Sequence, residues 1–515
     1  MGNIVGIDLG TTFSALAILN AIGKPEIIPN VDGERLTPSA IFFDEENADL
    51  IRIGIEAINS RHLNAQRSVR WIKRHMGDAN YCKKIDGKNW TPVDLSGLIL
   101  KKLKQDSSVE HGEIQDAVIS VPAHFDEIRR KATMDAGKKA GLNVIGIVNE
   151  PVAAALYYAT TRAITGKVLV YDLGGGTFDV TIMDVKGPQM NIVCSQGDHA
   201  LGGVDFDKEI LRMLEQHYQD KFNAKLLNSD EDRAKYEDEA EDIKKTLSRR
   251  DVAKKMLYGP EGSMRAEITR DMFEQAISSL MARTDILVEV ALEEASAKPS
   301  DIDKVLLVGG STRMPIVQQR LEKMFGFAPE TAVNVDECVA LGAAIHAGLT
   351  TIREKPDAVP VGIASGLKDI NLTDVCNHSY GTICAPVDKE TGKRVVQNRI
   401  ILKKNTPLPC EVSQTFYTVS KGQTEVEVTI TQGEDSAVEY VNKIAMHKLE
   451  LPPDRPAECP IKVTYSYDVN QRMHCKFEDV ESGKALAVEL SLNKNGEMSE
   501  EDLTEKSKQK YEVKS

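Results

Sequence analysis

Val168-Leu169-Val170-Tyr171-Asp172-Leu173-Gly174-Gly175-Gly176-Thr177-Phe178-Asp179 is an apolar strand pattern that ends in an acid and turns over three glycines into a threonine. The same design opens the chain as Ile4-Val5-Gly6-Ile7-Asp8-Leu9-Gly10-Thr11-Thr12-Phe13. Glycine lets the backbone approach a phosphate closely, and the amides and hydroxyls of Thr11, Thr12 and Thr177 can donate to its oxygens. A carboxylate at the strand end is well placed to hold a hydrated magnesium ion, which keeps several of its waters. Either stretch alone reads equally well as a plain strand and turn. Two copies suggest two related half-domains, each closing on the phosphates from one side.

A third stretch, Val305-Leu306-Leu307-Val308-Gly309-Gly310-Ser311-Thr312-Arg313-Met314-Pro315, is a strand that enters a glycine turn and then a helix. Such a turn can run along an adenosine and leave the Arg313 guanidinium free to stack on the base. Up to about residue 350, strand runs such as Val168–Tyr171 and Val305–Val308 alternate with helical patterns such as Asp207–Tyr218, the signature of an α/β domain. Residues 94–104 (DLSGLILKKLK) place apolar side chains at 95, 98, 99, 100 and 103, a one-sided stripe that covers a sheet. From Arg353 to Leu372 the pattern is broken by Pro356, Pro360, Gly362 and Gly366, and a domain boundary is expected there. After Asp374 alternation takes over, as in Val426–Ile430 and Ile461–Tyr467, which predicts half-exposed antiparallel strands. Residues 451–460 carry four prolines and must form a loop or an edge. Residues 499–515 hold too few apolar positions to bury a face and predict a solvated tail.

A chain of 515 residues is too long for one core and predicts two or three domains. Its formal charge of -14 argues against broad contact with nucleic acid or an anionic membrane surface, since both are polyanions. Cys82, Cys194, Cys338, Cys376, Cys384, Cys410, Cys459 and Cys475 form no CxxC pair and no metal-ligand spacing, and are read as reduced thiols in a cytoplasmic protein. A disulfide-stapled C-terminal domain is the competing reading. The first residues enter a strand pattern directly, which predicts neither a leader nor a membrane span.

In this order and spacing, the three stretches resemble the actin, sugar kinase and heat-shock 70 superfamily. Further runs narrow the resemblance to the heat-shock protein 70 (DnaK) chaperone family across essentially the whole chain. Ile119–Phe125 followed by Arg130-Lys131-Ala132-Thr133 resembles its VPAYF segment and trailing arginine, Asn149–Leu156 its NEPTAAAL motif, and Leu201–Asp207 its LGGxDFD motif. The resemblance implies an α/β actin-like (ribonuclease H-like, duplicated) ATPase domain over residues 1–355 and a linker over 356–375. A β-sandwich peptide-binding domain over 376–495 and a short charged tail over 496–515 would follow, with no helical lid. It implies ATP or ADP with Mg2+ and K+ as cofactors, and ATP hydrolysis that switches affinity for unfolded or extended peptide. Lys73 takes the position of the family's catalytic lysine, which without the family would read as a solvated charge. Asp8, Glu150 and Asp172 share the magnesium shell, with Thr177 and Thr11 at the γ-phosphate.

By the same resemblance Gly10, Thr12, Phe13, Gly174, Gly175, Gly176, Gly202, Gly203, Glu241, Lys244, Lys245, Ser248, Gly309, Gly310, Ser311, Arg313 and Asp336 hold the nucleotide. Pro122 and Arg130 relay its state to the peptide domain; otherwise they would end a strand and cap a helix. Phe416, Val426 and Val428 line the peptide groove, or else are sheet core. The implied partners are peptide clients and a J-domain co-chaperone, and the molecule is expected to be a monomer. The stretch from Lys73 to Pro122 is shorter than in the usual member, which leaves use of a nucleotide exchange factor open. The linker Ile370–Val375 interleaves polar residues where the family has leucines. The first groove loop is expanded to residues 384–396 (CAPVDKETGKRVV). These departures resemble the short, lid-poor HscC type, although a chain cut before its lid would read the same at that end. The rival readings are an actin-type filament protein or scaffold without peptide cycling, and a small-molecule kinase, for which no carboxylate base beside a sugar pocket is evident.

Overall fold

The computed structural model describes residues 3–47, 50–161, 164–331, 334–387, 390–468 and 471–489. The expected tail and the question of a lid lie outside them. The chain divides into two compact units, one of Met1–Phe125 with Ala132–Leu372 and one of Asp126–Lys131 with Thr373–Ser515.

The first unit holds two sheets of one plan. In one, the strand Asn3–Asp8 runs parallel to Ile114–Val121, which is parallel to Asn143–Asn149. On its other side it is antiparallel to Phe13–Leu19, which continues to Pro25–Ile28. In the other, Thr165–Leu173 is parallel to Lys304–Val308 and onward to Glu330–Thr331. On its other side it is antiparallel to Phe178–Lys186, which continues to Gln189–Asp198. Each acid-and-glycine turn thus sits at the carboxyl end of a central strand, where open α/β sheets present their ligand crevice.

Helix Cys338–Glu354 packs on the first sheet and crosses helix Glu150–Thr161. The approach is backbone to backbone. A Cβ added at Gly342 would lie 1.7 Å from the Ala153 carbonyl oxygen, and one at Gly6 would lie 1.9 Å from the Ala344 nitrogen. The expected stripe over residues 94–104 belongs to a longer helix, Pro92–His111, with Leu95, Ile99, Leu100 and Leu103 buried. A reciprocal cap explains the earlier start. Asp94 N donates to Thr91 Oγ1 at 3.2 Å, Thr91 N donates to Asp94 Oδ2 at 3.0 Å, and Pro92 fills the first helical position.

Residues 353–372 are more ordered than their punctuation predicts, because Val361–Leu367 is a helix. Its glycines serve contact rather than breakage: a Cβ at Gly362 or Gly366 would stand 2.1 Å from Ala21 O or 2.3 Å from Ile22 O.

His346, on the inner face of helix Cys338–Glu354, is 8% exposed. Burial, aided by the Arg353 charge, pushes its imidazole down to about 4. A depressed folded pKa means that this contribution to stability is complete above the unfolded value near 6.5 and is lost as pH falls through about 4. His346→Gln should therefore lose less thermal stability than wild type between about pH 7 and about pH 5, which melting curves at the two pH values will read.

In the second unit, two four-stranded antiparallel sheets share one core. One is ordered Gln397–Leu402, Tyr380–Cys384, Glu425–Gln432, Asn442–Glu450, and the other Cys410–Tyr417, Pro460–Tyr467, Met473–Asp479, Ala485–Glu489. Tyr380, Ile430, Tyr465 and Phe477 are buried together, and Tyr465 Oη donates to Gly381 O at 2.8 Å, tying one sheet to the other. No disulfide joins any of the eight cysteines. No helix among the described residues is long and apolar enough to cross a membrane.

Candidate nucleotide site and peptide groove

The two Gly-Thr turns of the first unit face each other. A Cβ at Gly175 would fall 1.9 Å from Thr12 Oγ1, and one at Gly176 would fall 2.6 Å from Thr11 Cγ2. Only glycine allows this approach, and the third stretch closes the same space: Ser311 Oγ donates to Gly174 O at 2.9 Å, and Gly309 takes φ 81°, a left-handed conformation that favours glycine. The result is a cavity of about 710 Å3. Asp8, Gly10, Thr11, Thr12, Phe13, Lys73, Glu150, Asp172, Gly174, Gly175, Thr177, Glu241, Lys244, Lys245, Ser248, Gly309, Gly310, Ser311, Arg313 and Asp336 all line it. Gly176, Gly202 and Gly203 stand behind the wall, where a Cβ at Gly202 would meet Gly176 N at 2.5 Å and one at Gly203 would meet Ser311 Oγ at 2.8 Å.

One end of the cavity is an acidic cluster with one buried ammonium. Lys73 comes from the short turn Ile72–His75, is 4% exposed and pairs with Glu150. Burial alone would lower its pKa, but Glu150 and Asp8 hold the ammonium above its ordinary value. Burial pushes Asp8 up to about 7, reinforced by Glu150 and opposed by Lys73 and by the Ser120 hydroxyl, which donates to Asp8 Oδ1 at 3.0 Å. Asp172 is raised by burial and by the charges of Glu150, Asp179 and Asp8. These carboxylates repel one another without further cations, which is the character of a divalent-metal site. Among the described residues no three metal-type donors converge on one point, so the set suits an ion held through its own waters.

The other end lies along helix Asp230–Leu247. Burial would raise Glu241, but Lys245, Arg70 and Lys244 bring it down to about 2. Lys244 Nζ donates to Gly203 O at 3.0 Å and Asp207 Oδ2 at 2.8 Å, and Arg313 pairs with Asp336 at 2.7 Å. Three features escaped sequence reading. Asp179 is buried behind the turns, accepts from His124 N at 3.2 Å, and is pushed up to about 8 by burial and then Glu150. Arg70 binds Asp238 at 2.6 Å and Glu241 at 3.1 Å, and Arg61 binds Asp238 at 2.8 Å and Ala234 O at 3.0 Å. The basic run before Lys73 and the acid-rich helix Asp230–Leu247 are complementary in charge, which is the signal that could have joined them.

In the second unit a cavity of about 570 Å3 is lined by Phe416, Val426 and Val428. Val428 is also core, only 3% exposed, so the two readings of it coincide. Among the described residues, strand Cys410–Tyr417, which carries Phe416, pairs on one side only, with Pro460–Tyr467. Pro122 and Arg130 line neither cavity. Pro122 follows strand Ile114–Val121, and Arg130 is 2% exposed, its guanidinium donating to Gln471 within the second unit.

A family model described as Hsp70 protein matches residues 4–84 and 78–515. The chain belongs to the Hsp70 family. It is 37% identical over 510 residues to the chaperone protein DnaK of Thermotoga neapolitana, covering 97% of this chain and 82% of that one. It is 38% identical over 495 residues to the DnaK of Thermotoga petrophila, covering 94% and 80%. As an Hsp70 protein it is an ATPase and an ATP-dependent chaperone.

Proposed function

We propose that this Hsp70 chain couples ATP hydrolysis in its first unit to capture and release of extended peptide by its second. The observation that carries the reading is the pairing of two cavities of different chemistry, one charged and glycine-walled, the other apolar beside a strand edge. The family's actin-like ATPase domain corresponds to the first unit and its β-sandwich domain to the second. Thr11, Thr12, Gly174, Gly175 and Thr177 would hold the phosphates, and Asp8, Glu150 and Asp172 would hold Mg2+ through its waters, with K+ near Asp336. When bound, ATP and its metal supply the phosphoanhydride and the cation that neutralises it. The chain's own part is electrostatic: the Lys73 ammonium, fixed by Glu150, faces the position where charge develops, and the carboxylates orient water. Glu241, Lys244, Ser248 and Arg313 would hold the adenosine, and Arg130 would carry nucleotide state onward.

Phe416, Val426 and Val428 accept an apolar side chain while a strand edge receives the peptide backbone. Clients are therefore unfolded or extended segments, with a J-domain protein as the expected co-chaperone and an HscC-type member as the subgroup. Cysteines that form no disulfide fit a reducing cytoplasm. ATP turnover should rise when an extended apolar peptide is added and stay unchanged with polyols. A rise with a polyol would favour a kinase, and ATP-dependent sedimentation as polymer would favour the filament reading.

A further inference from the structure

The groove cavity is not purely apolar. Arg394 and Arg399 line it together with Phe416 and Val426. Neither guanidinium has a carboxylate partner among the described residues. Arg394 Nη1 donates to Ala385 O at 3.0 Å, which anchors one nitrogen and leaves the rest of the fork available, and Arg399 is exposed on strand Gln397–Leu402. The one carboxylate among the lining residues, Glu427, stands in register opposite Lys448 on the neighbouring strand, whose ammonium pairs with Glu425 at 3.2 Å, so two guanidinium groups face a single carboxylate across the lining. A chain with a formal charge of -14 thus keeps, at its apolar groove, two cations without a carboxylate partner among the described residues.

The expanded loop presents one of them. Val387 bridges to Arg394 in antiparallel fashion and Val395 N donates to Pro386 O at 3.0 Å, so these two flanks of the loop lie side by side and Arg394 comes to the wall. The same pairing leaves Val387, Val395 and Val396 largely exposed, a further apolar surface beside the charge.

We infer that the groove selects extended segments that carry an aspartate or glutamate beside their apolar anchor. Guanidinium groups recognise carboxylates through two-pronged hydrogen bonds, and charge at a groove rim sets selectivity more than raw affinity. The inference rests on the groove reading above.

The test is fluorescence anisotropy of the full chain, in ADP, with labelled peptides that share one leucine-rich core and differ only in flanking aspartate or lysine. The aspartate peptide should bind about fivefold tighter, the effect of two rim ion pairs worth about 0.5 kcal/mol each. That ratio should shrink toward one in raised salt and in Arg394→Gln with Arg399→Gln. Equal affinity, or a preference for lysine, in the unaltered protein would overturn the charge selectivity while leaving the groove intact. Failure of both peptides to bind would overturn the groove reading and this inference together. Because the decisive comparison uses the unaltered chain, it does not depend on the variants folding.

Discussion

Lys73→Ala is expected to lower ATP turnover by about two to three orders of magnitude, the loss typical when one preorganised electrostatic group is removed from a developing anion. The ammonium is buried, paired with Glu150 and raised in pKa by Glu150 and Asp8, so it stays charged throughout the working pH range. Its removal leaves Asp8, Glu150 and Asp172 with no buried cation beside them. Nucleotide binding should survive, because the glycine turns and the Glu241–Lys244 side of the cavity are untouched. Single-turnover hydrolysis alongside the affinity for a fluorescent nucleotide separates the two effects. Turnover equal to that of the unaltered protein would refute the role given to Lys73.

Gly342→Ala should be severely destabilising, although it adds only one methyl group. The added carbon would lie 1.7 Å from the Ala153 carbonyl oxygen, and neither group is a side chain that can swing aside. Helices Cys338–Glu354 and Glu150–Thr161 would have to separate, so the cost is expected at or above the roughly 3 kcal/mol upper end of ordinary overpacking. Glu150 opens the second of these helices, and its carboxylate would move with the backbone. A lowered urea midpoint together with weakened nucleotide binding is the expected outcome. An unchanged midpoint would show that the two helices do not cross as closely as described.

The acid-and-glycine stretches were legible because each combines a strand pattern with a turn that few functions other than phosphate binding require. The family was legible from the same residues and the NEPVAAAL and LGGVDFD runs. What stayed hidden depends on partners distant in sequence. Gly362 and Gly366 read as helix breakers because glycine is locally unfavourable, yet both make room for the backbone of Ala21 and Ile22. Arg61 and Arg70 drew no reading from the sequence because their carboxylates lie on helix Asp230–Leu247, far away along the chain. Asp179 follows a glycine turn of evident purpose but shows its burial only once the two sheets are in place. The groove arginines sit in and beside a loop whose expansion was visible but whose paired flanks were not.

Affinity for one fluorescent apolar peptide, measured on the full chain with saturating ADP and again with ATP bound to a hydrolysis-deficient form, tests the coupling of the two cavities most directly. The account predicts tighter binding and slower release with ADP, and by reciprocity a shift in nucleotide affinity when peptide is present. Equal peptide affinity in the two nucleotide states would contradict it.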